Sequence, residues 1–243
     1  MEIELNDSEH TKSSWTNRFE KYLPELVYGS IDGIVTTFAV VAGAAGANLN
    51  INIILILGMA NLIADGLSMS IGSYLSNKSE QDNYQKHLRI EAWEIENMPD
   101  VERQEVELIY RNKGFEGKEL EMVVNRITSN KQVWLDTMMK DELGLSEHKK
   151  SPLKSGLSTL SAFIIAGAIP LVAYFITYSG GAGMSPFLVS SIVTLLTFIF
   201  IGYIKTYVTQ ASLLRSITET LVLGTAAAMA AYLLGDYLEK LLT

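Results

Sequence analysis

The chain of 243 residues contains no cysteine. That absence excludes a disulfide scaffold, zinc–thiolate and iron–sulfur ligation, and thiol catalysis. Histidine is scarce: His10, His87 and His148 are the full set, and none stands in a Glu-x-x-His arrangement. Basic residues are outnumbered, 19 Lys and Arg against 27 Asp and Glu, for a formal charge of −8. This balance argues against a nucleic-acid partner, which needs a concentrated basic surface. The sequence also lacks a G-x-S-x-G elbow, a phosphate-binding glycine loop and a strand-borne G-x-G-x-x-G, so nothing points to an enzyme. Residues 1–26 hold no basic stretch followed by an apolar one, and no cleavable leader is expected there.

What is present is apolar and sharply partitioned. Residues 77–154 carry 13 of the 19 basic and 16 of the 27 acidic residues. Much of the remaining charge lies in the first 25 residues, and the stretches between are nearly charge-free. Such a partition describes a membrane protein with one polar insert. Five runs reach the roughly 20 residues a spanning helix requires: Val27–Ala47, Asn52–Ser76, Leu153–Tyr178, Pro186–Tyr207 and Ile217–Tyr237. Buried strands run to only about 4–8 residues, so helix-length runs predict an all-α, polytopic protein. The expected organisation is an N-terminal segment 1–26, spans one and two in 27–76, a helical lobe 77–152, and spans three to five in 153–243.

Loop charges set the expected orientation. The connections 48–51 and 179–185 hold no Lys or Arg, whereas Lys12, Arg18, Lys21, Lys205, Arg215 and the insert's thirteen fall on the opposite side. By the positive-inside rule the N-terminus and the lobe are cytoplasmic. Within the lobe, Tyr74–Met98 extends the second span up to Pro99. Asp100–Lys113 predicts a helix closed by Gly114, Gly117–Ser129 a third and Lys131–Leu143 a fourth.

Two acids lie inside the spans, Asp32 in the first and Asp65 in the second. A carboxylate near the centre of a spanning helix costs about 2.5–3.5 kcal/mol on insertion scales, so each calls for a function. Asn61 and Met69 stand four residues either side of Asp65 and share its face. Oxygen and thioether donors on one stripe suit a first-row divalent cation. In the lobe, Glu91 with Glu94 and Glu102 with Glu105 are i, i+3 pairs, and Glu142 lies three and four residues from Met139 and Met138. Three helix faces can therefore aim carboxylates at one pocket. The bland alternative is a solvated acidic face, the role expected of Glu96, Glu107, Glu116, Glu119 and Glu121. Small residues recur every four positions at Gly29/Gly33 and Ala227/Ala231/Gly235, a spacing that lets membrane helices approach closely, within a bundle or across a dimer.

The stretches YGSIDGIVTTFAVVAGAAGA (28–47), ANLIADGLSMSIGSYLSNKSE (60–80), WLDTMMKDEL (134–143) and SAFIIAGAIPLVAY (161–174) resemble the vacuolar iron transporter family. The resemblance covers the chain from Tyr22 onward. It implies a homodimer with five spans per subunit, a path at the dimer interface, and export of Fe²⁺ and Mn²⁺ from the cytosol against protons. It also implies Asp32 and Met69 as transmembrane metal ligands, and Glu91, Glu94, Glu102, Glu105 and Glu142 as lobe ligands, with Met138 or Met139 as the soft donor. Asp65 belongs to the shared ADG motif and would support the site or relay protons. Some family members carry a carboxylate where this chain has Asn61. The expected membrane is the plasma membrane in a prokaryote or the vacuolar membrane in a eukaryote. No permanently bound cofactor is expected; metal ions, protons, lipid and a second copy are the expected partners. Two rival readings are a membrane-anchored di-iron carboxylate oxidase, disfavoured by the missing histidines, and a metal-sensing scaffold, disfavoured by the intramembrane acids.

Overall fold

The computed structural model describes residues 14–147, 150–180, 184–209 and 212–242, and all its regular elements among them are helical. His10, His148 and Lys12 lie outside the described residues. The elements are α1 (Ser14–Gly46), α2 (Ile51–Asn97), α3 (Pro99–Asn112), α4 (Gly117–Thr128), α5 (Lys131–Thr137), a π-helical turn at Met138–Glu142, α6 (Pro152–Tyr178), α7 (Pro186–Thr209) and α8 (Leu213–Leu242). Five helices are long and apolar enough to cross a membrane: α1 from Lys21, α2, α6, α7 up to Thr206, and α8. The chain divides into two compact units, residues 1–74 with 151–243, and residues 75–150.

In the first unit α1 is the hub. It packs along α6 through Gly29 and Gly33: a Cβ at Gly29 would lie 2.6 Å from the Thr159 carbonyl oxygen, and one at Gly33 would meet the Phe163 carbonyl. Reciprocally, a Cβ at Gly167 of α6 would stand 2.8 Å from the Gly33 carbonyl. At its other end α1 meets α8, where Gly43 faces Ala231 and Gly235 faces the Gly43 carbonyl. The small-residue stripes foreseen for a bundle or a dimer are thus used inside this chain. Bare glycine lets the backbones approach and recovers dispersion contacts, since lipid supplies no hydrophobic drive between helices. Val41, Ala44, Ile54, Leu55, Leu62, Phe163, Leu171 and Tyr174 form the core where α1, α2 and α6 meet. Ser190 of α7 donates to the Pro170 carbonyl at 2.7 Å, tying α7 to the middle of α6.

The second unit owes its helices to strong local signals. Pro99, with no N–H to lose, opens α3. Gly114, at φ +96°, closes it in a left-handed turn, with the Phe115 N–H donating to the Tyr110 carbonyl at 3.2 Å. Asn130 caps α5, its side-chain oxygen accepting from the N–H groups of Gln132 and Val133 at 3.0 and 3.2 Å. The core joins Ile95 of α2, Val106 of α3, Leu120, Val124 and Ile127 of α4, and Trp134, Leu135, Met138 and Met139.

Helix α1 starts at Ser14, ahead of the span expected from Val27, because Glu20, Lys21 and Leu23 are good helix formers and the charge of the first two opposes membrane insertion, not helicity. One expectation needs correction. The expected regular helix Lys131–Leu143 is α-helical only to Thr137. From there the Leu143 N–H reaches back five residues to the Met138 carbonyl at 3.1 Å. The wider turn keeps both consecutive methionines, 0% and 1% exposed, inside one core while Asp141 and Glu142 remain exposed. Spacing rules for an ordinary helix carry no information about such a bulge.

Candidate metal centre

The end of α2 and the start of α3 meet at Pro99, bringing two acidic faces together. Glu91 and Glu94 of α2 and Glu102 of α3 each offer one carboxylate oxygen, all within 4.8 Å of one another. Oxygen ligands bind first-row divalent ions at roughly 2 Å, so donors across an ion stand roughly 4 Å apart. The three oxygens therefore outline a cage about one ion wide. Glu91 is 5% exposed and Glu102 3% exposed, and each keeps an Oε2 buried with no hydrogen-bond partner. An orphaned buried oxygen is costly, and a bound cation or proton removes that cost.

The electrostatics extend this trio to the other two predicted glutamates. Burial, then the charges of Glu142, Glu94 and Glu105, push Glu91 up to about 7. Burial, then Glu105, Glu91, Glu94 and Glu142, push Glu102 up to about 7. Glu142 is raised as well, by partial desolvation and then by Glu105 and Glu94. Glu105, Glu91, Glu94 and Glu142 thus all act through their charges on Glu102, and the π-turn bearing Glu142 packs against α3. Four of the lobe's cations are engaged elsewhere. Arg103 donates to Thr128 Oγ1 at 2.9 Å and to Asn125 Oδ1 on α4, Arg111 pairs with Glu107, Lys113 with Asp141 at 2.6 Å, and Lys131 with Glu96. Glu107 and Glu96 thereby take the surface role foreseen for them. Met138 and Met139 are in the lobe core rather than at its surface.

In the first unit, Asp32 on α1 and Asn61, Asp65 and Met69 on α2 are all half-buried. The Asp65 carboxylate is near enough to act on Asp32 through its charge. Among the described residues no Lys or Arg forms an ion pair with either acid. Thr36 donates at 2.8 Å to the backbone carbonyl of Asp32, leaving its carboxylate uncommitted by that bond. The Asn61 amide nitrogen is buried with no hydrogen-bond partner, and Met69 packs at the edge of the α1–α2–α6 core.

Sequence reasoning passed over Glu25. It is half-buried on α1, seven residues before Asp32 and therefore on the same face, and its Oε1 accepts from the buried Ser155 hydroxyl at 3.3 Å. That i, i+7 relation was the available signal, hidden because residues 1–26 were read as a polar segment. The π-turn had no sequence signal.

Comparison with known proteins finds relatives over most of the chain. The model of the VIT family matches residues 23–236. Vacuolar iron transporter 1 of Tulipa gesneriana is 36% identical over 217 residues, covering 89% of this chain and 87% of its own length. Vacuolar iron transporter 1 of Arabidopsis thaliana is 35% identical over 231 residues, covering 95% and 90%. The vacuolar iron transporter of Toxoplasma gondii is 34% identical over 236 residues, covering 94% and 78%.

Proposed function

The chain belongs to the VIT family, and from that membership we propose that it carries Fe²⁺, Mn²⁺ or both out of the cytosol in exchange for protons, as a homodimer. It is a transporter-family protein and not an enzyme. The observation that carries the transport reading is the pair of intramembrane acids, Asp32 and Asp65, with no ion pair to a basic residue among the described residues. An anchor for an oxidase, or a scaffold for a sensor, has no use for such costly groups.

In this mechanism residues 77–152 face the cytosol and the lobe glutamates gather the ion. Glu91, Glu94 and Glu102 form the cage, Glu105 and Glu142 add field, and Met138 or Met139 supplies a polarisable sulfur suited to a first-row metal. Several weak, replaceable oxygen ligands concentrate the ion without trapping it. Asp32 and Met69, contributed by both subunits, take the dehydrated ion within the membrane, with Asp65 and Asn61 as support or proton relay. A vacant carboxylate in a low-dielectric setting is costly when bare, so metal and proton are natural alternatives there. Protons entering from the far side then displace the ion and carry the site back without stranded charge.

The dimer reading is supported by α2. Ala60, Ala64, Ser68, Gly72 and Ser76 repeat every four residues along it, and all five are exposed in the single chain. Unlike the stripes on α1 and α8, this one meets no helix of its own chain at Gly72, where a Cβ would have nothing within 4 Å. A second copy of the same helix fits such a surface. The membrane is the plasma membrane if the source is prokaryotic and the vacuolar membrane if it is eukaryotic.

The test is metal uptake by proteoliposomes supplied separately with Fe²⁺ and Mn²⁺, with the lumen acidic or at the external pH. Uptake above that of protein-free vesicles, accelerated by an acidic lumen, supports the reading. Uptake equal to protein-free vesicles for both metals overturns it.

A further inference from the structure

A groove of about 250 Å³ opens between α1, α6 and α7, lined by Val27 and Ser30, Ser161 and Ile165, and Ile201 and Ile204. Its walls are almost wholly apolar. Of its hydroxyls, that of Ser161 already donates to the Leu157 carbonyl at 2.8 Å, so the groove offers little to a polar solute. A flexible hydrocarbon chain is the occupant that matches this lining.

The three lining helices each carry a lysine at one common end: Lys21 on α1, Lys154 on α6 and Lys205 on α7. Lys205 is held by Glu219 at 2.9 Å, and Lys21 lies over the Tyr22 ring at 5.9 Å. Lys154 is exposed and stands seven residues before Ser161, two turns along the same face of α6. That offset is roughly 10 Å, so a headgroup at Lys154 leaves its chain running into the groove. Basic residues beside a membrane surface attract anionic lipids.

We propose that this groove binds one acyl chain of an anionic glycerophospholipid, with Lys154 engaging the headgroup phosphate. Function as a transporter is not required for the inference; it rests on the first unit alone and is tested without transport. The full-length protein in detergent is offered phosphatidylglycerol or phosphatidylcholine of identical chains, and retained lipid is counted by native mass spectrometry. The wild type retains one phosphatidylglycerol with roughly fivefold preference, the effect of one lysine near an anionic lipid. Lys154→Gln removes the preference but keeps a retained lipid, and Ser161→Phe, which fills the groove, lowers retention of both lipids. Equal retention of the two lipids by the wild type overturns the proposal, and so does a preference unchanged in Lys154→Gln. Should Ser161→Phe fail to fold, the Lys154→Gln result decides alone.

Discussion

The protein holds carboxylates in two settings that solve different problems. The lobe gathers five glutamates, two of them almost fully buried, with Arg103 and Lys113 turned to other partners. The membrane unit keeps Asp32 and Asp65 with one amide and one thioether close by on α2. Repulsion in the lobe is multiple and adjustable, since two members shift to about 7 and can trade protons near neutral pH. The membrane pair has few groups, so on the proposed transport reading each is indispensable, the lobe cluster gathering the ion and the sparse pair passing it on.

That contrast makes loss of one membrane acid the largest expected effect. Asp32→Asn keeps the shape and hydrogen-bonding capacity but removes the charge, and metal flux should fall to the protein-free background while the folded protein still reaches the membrane. Wild-type flux in a folded Asp32→Asn protein would remove the residue from the mechanism. In the lobe, single changes should be milder and the triple change severe. With Glu91, Glu94 and Glu102 all replaced by Gln, calorimetry on the whole protein should show Mn²⁺ affinity lower by about 100-fold or more, whereas Glu105→Gln alone costs less than that. Metal-free thermal stability should rise in the triple variant, because repulsion and buried charge are both relieved. A fall in stability would show that the carboxylates have unseen stabilising partners.

The pH dependence sharpens the same contrast. Glu91 and Glu102 bind protons in the folded state at about 7, against 4.5 for the unfolded groups. Between those values the native state holds more protons, so metal-free stability should fall as pH rises from 4.5 to 7. Metal affinity should move oppositely, weakening as the pH drops below 7 because protons compete for the same oxygens. Melting curves and calorimetry across pH 5–8 check both slopes, and parallel slopes would contradict the assignment.

Much of this organisation is legible in the residues. Five apolar runs, the long α2 extension and the helix breaks at Pro99 and Gly114 follow from hydropathy and backbone chemistry. The i, i+3 glutamate pairs were visible because an α-helix turns them to one side. What could not be read is tertiary. Spacing alone favours a solvated face for such glutamates, and only the packing of α3 against its neighbours buries Glu91 and Glu102. The π-turn at Met138 arises because two consecutive methionines are both drawn into one core, a demand of packing and not of local propensity. The Glu25 contact with Ser155 spans 130 positions in sequence, beyond any periodicity.

The smallest expected effect tests whether the lobe site depends on its local scaffolding. Asn130→Ala deletes the α5 cap and should cost about 1 kcal/mol of stability, leaving membrane flux at saturating metal unchanged. A collapse of flux in a folded Asn130→Ala protein would show that the lobe is coupled to transport more tightly than its role as a collector requires.

The central claim is that metal leaves the cytosol as protons enter it. The direct measurement is luminal pH, read with a trapped dye in proteoliposomes while Fe²⁺ or Mn²⁺ is supplied on the lobe side and its uptake is followed in parallel. Exchange predicts that the lumen becomes alkaline in step with metal entry, that an imposed acidic lumen accelerates both, and that Asp32→Asn abolishes both together. Metal accumulating with no matching proton exit, across a range of imposed gradients, would identify a uniporter and contradict the account.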